Sequence, residues 1–384
     1  MPPQEFPDQD PVKPEAGIGL ALSGGGYRAM VFHVGALIRL NEVGLLRKIK
    51  RVSSVSGGSI TSAVLATSWK DLRFTDDIAD NFHIVVKRVR TMADTSVDAG
   101  AIIGGILLPG SISEKVAKAY DRTLFKGARL SDLPDDALPG NPRFVINATN
   151  MQTAALWRFS RNYMGDYRVG LVEEPNVPLA LAVAASSAFP PVLSPCELDI
   201  TQQVKETSGA NLHKEPYTRK AVLSDGGVYD NLGLETLIKR YKTVLVSDAG
   251  QKVAPEPEPH GDWARHSLRV LDVIDNQVRS LRKRHLMDAY KRKALSGTYW
   301  GVRSSFAKYK LAHDPLGCLN RNPTPLAEIE TRLEAMPRDV QDRLMNWGYA
   351  ICDAALRKHL DNALQNALGI HLKLPTGFPF PGEY

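Results

Sequence analysis

The run GIGLALSGGG, Gly17 to Gly26, constrains the fold more than any other stretch of the chain. A continuous apolar segment without polar alternation reads as a strand buried on both faces, the kind found in parallel sheets. After the glycines, Met30, Val34, Leu37 and Ile38 recur at helical spacing between Tyr27 and Val43, and Gly44 suits the stop. A second strand, Ile49 to Val55, runs into Ser56-Gly57-Gly58, where another helix opens. Strand, helix and strand in that order form a βαβ unit, which implies an α/β fold with helices covering the sheet.

Further strands are expected at Arg143–Ala148, Ala155–Phe159, Ala221–Ser224 and Thr243–Val246, and an apolar helix at Val177–Phe189 before Pro190-Pro191. Residues 70–135 read as mainly helical and are the natural place for a lid or cap, with the apolar stretch AGAIIGGILLPG, Ala99–Gly110, as an insertion loop or a core segment. That stretch is well short of the roughly 20 residues that span a bilayer. Residues 1–16 are rich in proline and acid and read as a mobile tail. After Gly250 a proline- and acid-rich connector leads into a region, 251–384, that reads as mainly helical, with helices at roughly 264–295, 325–335 and 337–362. Three isolated cysteines, Cys196, Cys318 and Cys352, argue against a disulfide scaffold or a thiolate metal site and suit a reducing compartment. The formal net charge of +6 is local: seven basic residues and one acid lie between Arg279 and Lys293, and the rest of the chain is neutral.

The glycine loop itself admits two chemistries. Gly24, Gly26 and Ala29 spell the dinucleotide fingerprint G-x-G-x-x-A, yet the same backbone N–H groups suit an oxyanion. A dinucleotide site needs an acid at the end of the second strand, and that strand ends instead in Ser54-Val55-Ser56-Gly57-Gly58. A nucleophilic serine needs small neighbours two positions away on either side so that the chain can fold back. Here Ser54 stands where the usual form has glycine, and by itself the pattern also fits an ordinary turn. Later in the chain an apolar strand ends in Asp225-Gly226-Gly227, placing a carboxylate at the strand edge where α/β sheets bind ligands.

Four blocks together resemble the patatin-like phospholipases, related to the cytosolic phospholipase A2 enzymes. Ser23-Gly24-Gly25-Gly26-Tyr27-Arg28-Ala29 is similar to the oxyanion block and Val55–Ser59 to the nucleophile block. Ala185–Pro191 resembles the third block, and Asp225-Gly226-Gly227 with Asp230-Asn231 the aspartate block. The resemblance covers roughly residues 17–250. It implies a three-layer α/β/α sandwich with a mainly parallel central sheet, followed by a helical C-terminal extension.

The same resemblance implies a lipid acyl hydrolase of the phospholipase A or lysophospholipase type. Ser56 would be its nucleophile, Asp225 its base, and the N–H groups of Gly24, Gly25 and Gly26 its oxyanion hole. Arg28 would either grip a substrate phosphate or orient the glycine loop, and both roles stay open. Asp230 and Asn231 read as loop architecture. A Ser-His-Asp triad would need a histidine after the acid. His260, His266, His285, His313, His359 and His371 qualify by order, but none follows a strand in a glycine-bounded loop. A catalytically silent fold acting as a binding or regulatory protein is the alternative from another class, ahead of a dinucleotide-binding protein. No cofactor, metal or nucleic-acid partner is expected. The expected partners are a phospholipid or other lipid ester and, through Arg279–Lys293, an anionic membrane surface, at a cytoplasmic location with peripheral membrane contact.

Overall fold

A computed structural model describes residues 13–97, 111–201 and 203–382. The chain begins with β1 (Glu15–Leu22), α1 (Gly26–Glu42), β2 (Ile49–Val55) and α2 (Gly57–Ser68), the unit expected from the glycine-flanked apolar runs. A small hairpin, β3 (Phe74–Thr75) and β4 (Ile78–Ala79), then precedes α3 (His83–Ala93) and α4 (Ile112–Tyr120). The expected loop Ala99–Gly110 and most of the N-terminal tail lie outside the described residues. Next come β5 (Arg143–Asn150), β6 (Ala155–Phe159), β7 (Tyr163–Asp166), β8 (Gly170–Glu173) and α5 (Leu179–Ser186). They are followed by β9 (Cys196–Asp199), β10 (Lys220–Asp225), α6 (Gly227–Asp230) and β11 (Tyr241–Asp248). The last elements are α7 (Trp263–Lys291), β12 (Ser296–Gly301), α8 (Thr324–Ala327), α9 (Arg338–His359) and α10 (Asp361–Leu368).

Ten strands form one sheet in the order β12-β11-β1-β2-β5-β6-β7-β8, with β10 and β9 joined to it through β5. The five strands from β12 to β5 are parallel. The rest pair antiparallel, so the parallel half carries Ser56 and the antiparallel β10 brings in Asp225. Alternation along each strand divides the core between two faces. Leu20, Leu22 and Leu245 pack with the apolar residues of α1, α2 and α9, while Ala21, Val244 and Val246 pack with Leu234, Leu237 and Leu286. Helices on one face, and the C-terminal end of α7 with the 232–241 segment on the other, make the sandwich three-layered.

Two features of the C-terminal region depart from the sequence reading. The boundary expected near Gly250 is crossed by the core: β12 pairs with β11 along Thr243–Asp248, and α9 packs on α1, where Arg39 meets Asp353 at 2.8 Å with both side chains buried. The helix expected over 325–335 stops at Ala327. Its carbonyls are taken by tertiary donors, since Arg28 Nη1 donates to Ala327 and Ile329 and the Tyr27 N–H donates to Arg332. Those bonds hold the segment as an irregular strap across the glycine loop.

The junction of β2, β5 and β10 positions the site. β2 pairs with the first part of β5, ending at Val55 opposite Asn147. β10 runs the other way and takes the next rungs on β5, with Asp225 opposite Ala148. The two strands therefore point at each other, and their C-terminal ends meet at adjacent rungs.

Candidate active site

Ser56 follows the last residue of β2, and the sharp reversal into α2 puts it at φ 52°, ψ −122°. That conformation is strained for a residue with a Cβ and persists only where the surroundings fix it. Several bonds do so. The Ser56 N–H donates to Ser186 Oγ at 3.0 Å, and Ser186 Oγ donates to the Asn147 carbonyl at 2.7 Å. Asn147 Nδ2 in turn donates to the Ser54 carbonyl and to Ser53 Oγ, each at 2.9 Å. Ser54 is tolerated in place of glycine because its Oγ accepts from Ser59 Oγ at 3.1 Å inside this network. A methyl group on Gly57 would lie 2.0 Å from the Gly26 carbonyl oxygen, so only glycine lets the elbow and the glycine loop close on each other.

Asp225 is almost fully buried at the end of β10. The backbone around it is tied to the third block of the resemblance: its N–H donates to the Ala188 carbonyl at 2.9 Å, and the Gly226 N–H donates to the Ser186 carbonyl at 3.2 Å. Burial pushes the carboxyl up to about 7, against a hydrogen bond from the Gly227 N–H and another from the Ser56 side chain. The Gly227 bond is 2.6 Å long. Asp275 of α7 adds a smaller upward push.

The glycine loop closes over this pair. A methyl on Gly24 would stand 3.2 Å from Ser56 Cβ. Gly25 sits at φ 137°, open to glycine alone. The Gly24 N–H donates to the Asn231 carbonyl at 3.1 Å, which narrows the expected donor set. Among the described residues no hydrogen bond engages the N–H groups of Gly25, Gly26 or Gly57. Beneath the loop, buried His33 bridges Ser247 Oγ at 2.8 Å and the Ser23 carbonyl at 3.0 Å, and burial holds its imidazole down at about 4.

The contacts of Arg28 bear on the two roles left open for it. Its guanidinium is wholly buried and donates to the carbonyls of Ala249, Ala327 and Ile329, at 2.7 Å, 2.9 Å and 2.5 Å. Ala249 packs on Gly25, so these bonds tie the Arg28 guanidinium to the glycine loop. Asp230 accepts from the N–H groups of Leu232 and Glu235, and Asn231 fills the space between Gly24 and Gly227, as loop architecture requires. None of the histidines that qualified for a triad by chain order hydrogen-bonds Ser56 or Asp225, and all six are exposed.

Two residues without an expected role turn out to shape the site. Ser186 joins the elbow to β5 and to the Asp225 loop, and Asn147 holds the rung where β2 and β10 meet. The third block of the resemblance, Ala185–Pro191, contained the first without assigning it a role. Nothing in the local pattern marked the second, because its meaning depends on strand pairing.

A family profile described as "Patatin-like phospholipase" matches residues 20–238. Comparison with curated proteins found no match. Among solved structures, human GIVD cytosolic phospholipase A2 in complex with methyl gamma-linolenyl fluorophosphonate and terbium chloride aligns at 14% identity and TM-score 0.52, covering 88% of this chain and 57% of that one. The same human enzyme with methyl gamma-linolenyl fluorophosphonate alone aligns at 14% identity and TM-score 0.51, with the same coverage. This chain spans little more than half the length of these two structures, 57% of each, and the likeness is one of fold. The profile covers more than half of the residues and takes in the glycine loop, the Ser56 elbow and Asp225, so the chain belongs to the patatin-like phospholipase family.

Proposed function

We propose that the protein is a lipid acyl hydrolase that cleaves carboxylic esters through an acyl-enzyme on Ser56, with Asp225 as its base. The observation that carries this reading is that β2, ending one residue before Ser56, and β10, ending at Asp225, stop at adjacent rungs of β5, with the Ser56 side chain hydrogen-bonded to a carboxyl raised to about 7. A carboxylate in water is too weak a base for a serine hydroxyl, and burial brings it toward the range where proton transfer near neutral pH is efficient.

In the first half-reaction the Ser56 hydroxyl proton passes to Asp225 as Oγ attacks the ester carbonyl carbon. The N–H groups of Gly25 and Gly26, with that of Gly57 after the nucleophile, receive the negative oxygen; each such donor contributes about 3 kcal/mol to lowering the barrier. The tetrahedral adduct collapses as Asp225 returns the proton to the leaving alcohol. Water then repeats the sequence on the acyl-enzyme and frees the fatty acid.

The substrate class is a phospholipid, a lysophospholipid or another long-chain ester. A lipid of this class is presented at a lipid–water interface; no helix among the described residues is long and apolar enough to cross a membrane. The basic segment Arg279–Lys293 attracts an anionic surface, though not with all of its charges. Arg282 turns inward to Glu235 at 3.1 Å, and Lys283 donates to the Tyr299 hydroxyl at 2.6 Å. Arg284, Lys291, Arg292 and Lys293 stay exposed for that role.

Fatty-acid release from phosphatidylcholine in mixed micelles, compared between wild type and Ser56→Ala, tests the proposal. A loss of at least about a thousandfold is expected. Unchanged release by the variant would refute it.

A further inference from the structure

The first five turns of α7 carry an apolar stripe that no described element covers. Trp263, Val270, Leu271, Ile274, Val278 and Leu281 are all exposed, Trp263 by 84% and Leu271 by 61%. At 100° per residue they fall within about 100° of the helix circumference, the pattern of an amphipathic helix. Leu268 and Val273, also exposed, flank this arc on either side. Of the 29 residues in the helix only Leu286 and Ala289, near its C-terminal end, are buried. A helix of this length measures roughly 43 Å.

We infer that this face of α7 is an interfacial seat that lies in the plane of an anionic lipid surface. The inference rests on the reading of the protein as a lipid acyl hydrolase and adds where it meets its substrate. Charge selects the occupant. Residues 263–293 hold nine arginines and lysines against three aspartates, the whole +6 of the chain. Two copies of this helix laid together would bring like charge against like charge, whereas acidic lipid headgroups complement it.

The seat also adjoins the site. Arg282 donates to the Tyr229 carbonyl at 3.2 Å and pairs with Glu235, tying α7 to the loop that follows Asp225. Arg279 donates to the Gln251 carbonyl beside the turn that Arg28 clamps, and Asp275 is near enough to act on Asp225. Val228 and Phe189, exposed by 47% and 63%, add apolar surface of their own beside Asp225. A lipid surface resting on the stripe is therefore presented to the mouth of the dyad.

Sedimentation of the full chain with vesicles of phosphatidylcholine containing about a third phosphatidylserine, against pure phosphatidylcholine vesicles, tests this. The double variant Leu271→Glu with Ile274→Glu is expected to bind the anionic vesicles at least about tenfold more weakly, with the same melting temperature and the same turnover of a water-soluble p-nitrophenyl ester. Four of the five tryptophans are buried, so a blue shift of fluorescence on adding anionic vesicles reports Trp263. Ser56→Ala separates the two claims, since it is expected to bind vesicles fully while losing ester turnover. Vesicle binding by the double variant at the wild-type level, or absence of the blue shift, would overturn the inference. So would a loss of binding accompanied by a fall in melting temperature, which would mean that the chain itself covers the stripe. A change in oligomeric mass with vesicle binding retained would assign the face to a second copy instead.

Discussion

Replacing Asp225 by asparagine should abolish turnover and yet stabilise the fold, by an amount that depends on pH. The carboxyl titrates near 7 in the folded chain, against 3.8 for a free carboxyl. Between those values the folded state holds a proton that the unfolded chain has released. Stability from this group is thus fully present below about pH 4 and is lost as pH rises through about 7. Three pKa units correspond to about 4 kcal/mol, so above neutrality the ionised carboxylate costs the fold an energy of that order. Asparagine keeps an oxygen to accept from the Gly227 N–H, bonded at 2.6 Å in the wild type, and carries no charge to desolvate. Asp225→Asn is therefore expected to unfold at higher urea concentration than wild type at pH 8, with the gap closing toward pH 4. Taking the difference between the two proteins cancels the other titrating groups, which the substitution leaves in place. A gap that stays constant with pH, or a variant less stable than wild type at pH 8, would refute the assignment of a buried, proton-holding carboxyl to Asp225.

Three further outcomes are expected. With a soluble ester, kcat/KM should rise about tenfold per pH unit below neutrality and level off above about 7, because the base works only when ionised; a flat profile would contradict this. Gly57→Ala places a methyl 2.0 Å from the Gly26 carbonyl oxygen, so activity should fall at least about a hundredfold with a lowered melting temperature; near-normal activity would show that the elbow and loop can separate. Arg28→Met leaves the carbonyls of Ala249, Ala327 and Ile329 without their charged donor, and a loss of stability of about 3 kcal/mol or more is expected on chemical denaturation. Its activity should drop alike on esters with and without a phosphate; a loss confined to phospholipid would restore a phosphate-binding role.

What the sequence disclosed follows from how local each signal was. β1, α1 and β2 were legible because a doubly buried strand and an amphipathic helix each write their burial into contiguous residues. Ser56 and Asp225 stood out because each ends an apolar strand beside glycines. Their meeting was implied by family resemblance, since only the antiparallel run of β10 against β5 shows why residues 169 positions apart converge. The short strands β7, β8 and β9 have four residues each, too few for a period to register. β12 was hidden by its composition, SGTYWG, which has no apolar run although Thr298 and Trp300 are buried. α7 read as basic, and its apolar stripe emerged only once the helix was seen to lack a described partner over its first turns. Arg28 could not be resolved from its neighbours, because the carbonyls that occupy it lie 221 to 301 residues away.

The central claim is that Ser56 is a nucleophile activated by Asp225, and covalent labelling tests it most directly. After incubation with a fluorophosphonate, intact-protein mass spectrometry should show one adduct on the wild type, mapped by peptide analysis to Ser56. Ser56→Ala should show none, and Asp225→Asn should react slower by at least about a hundredfold. Equal labelling of wild type and Ser56→Ala would contradict the account.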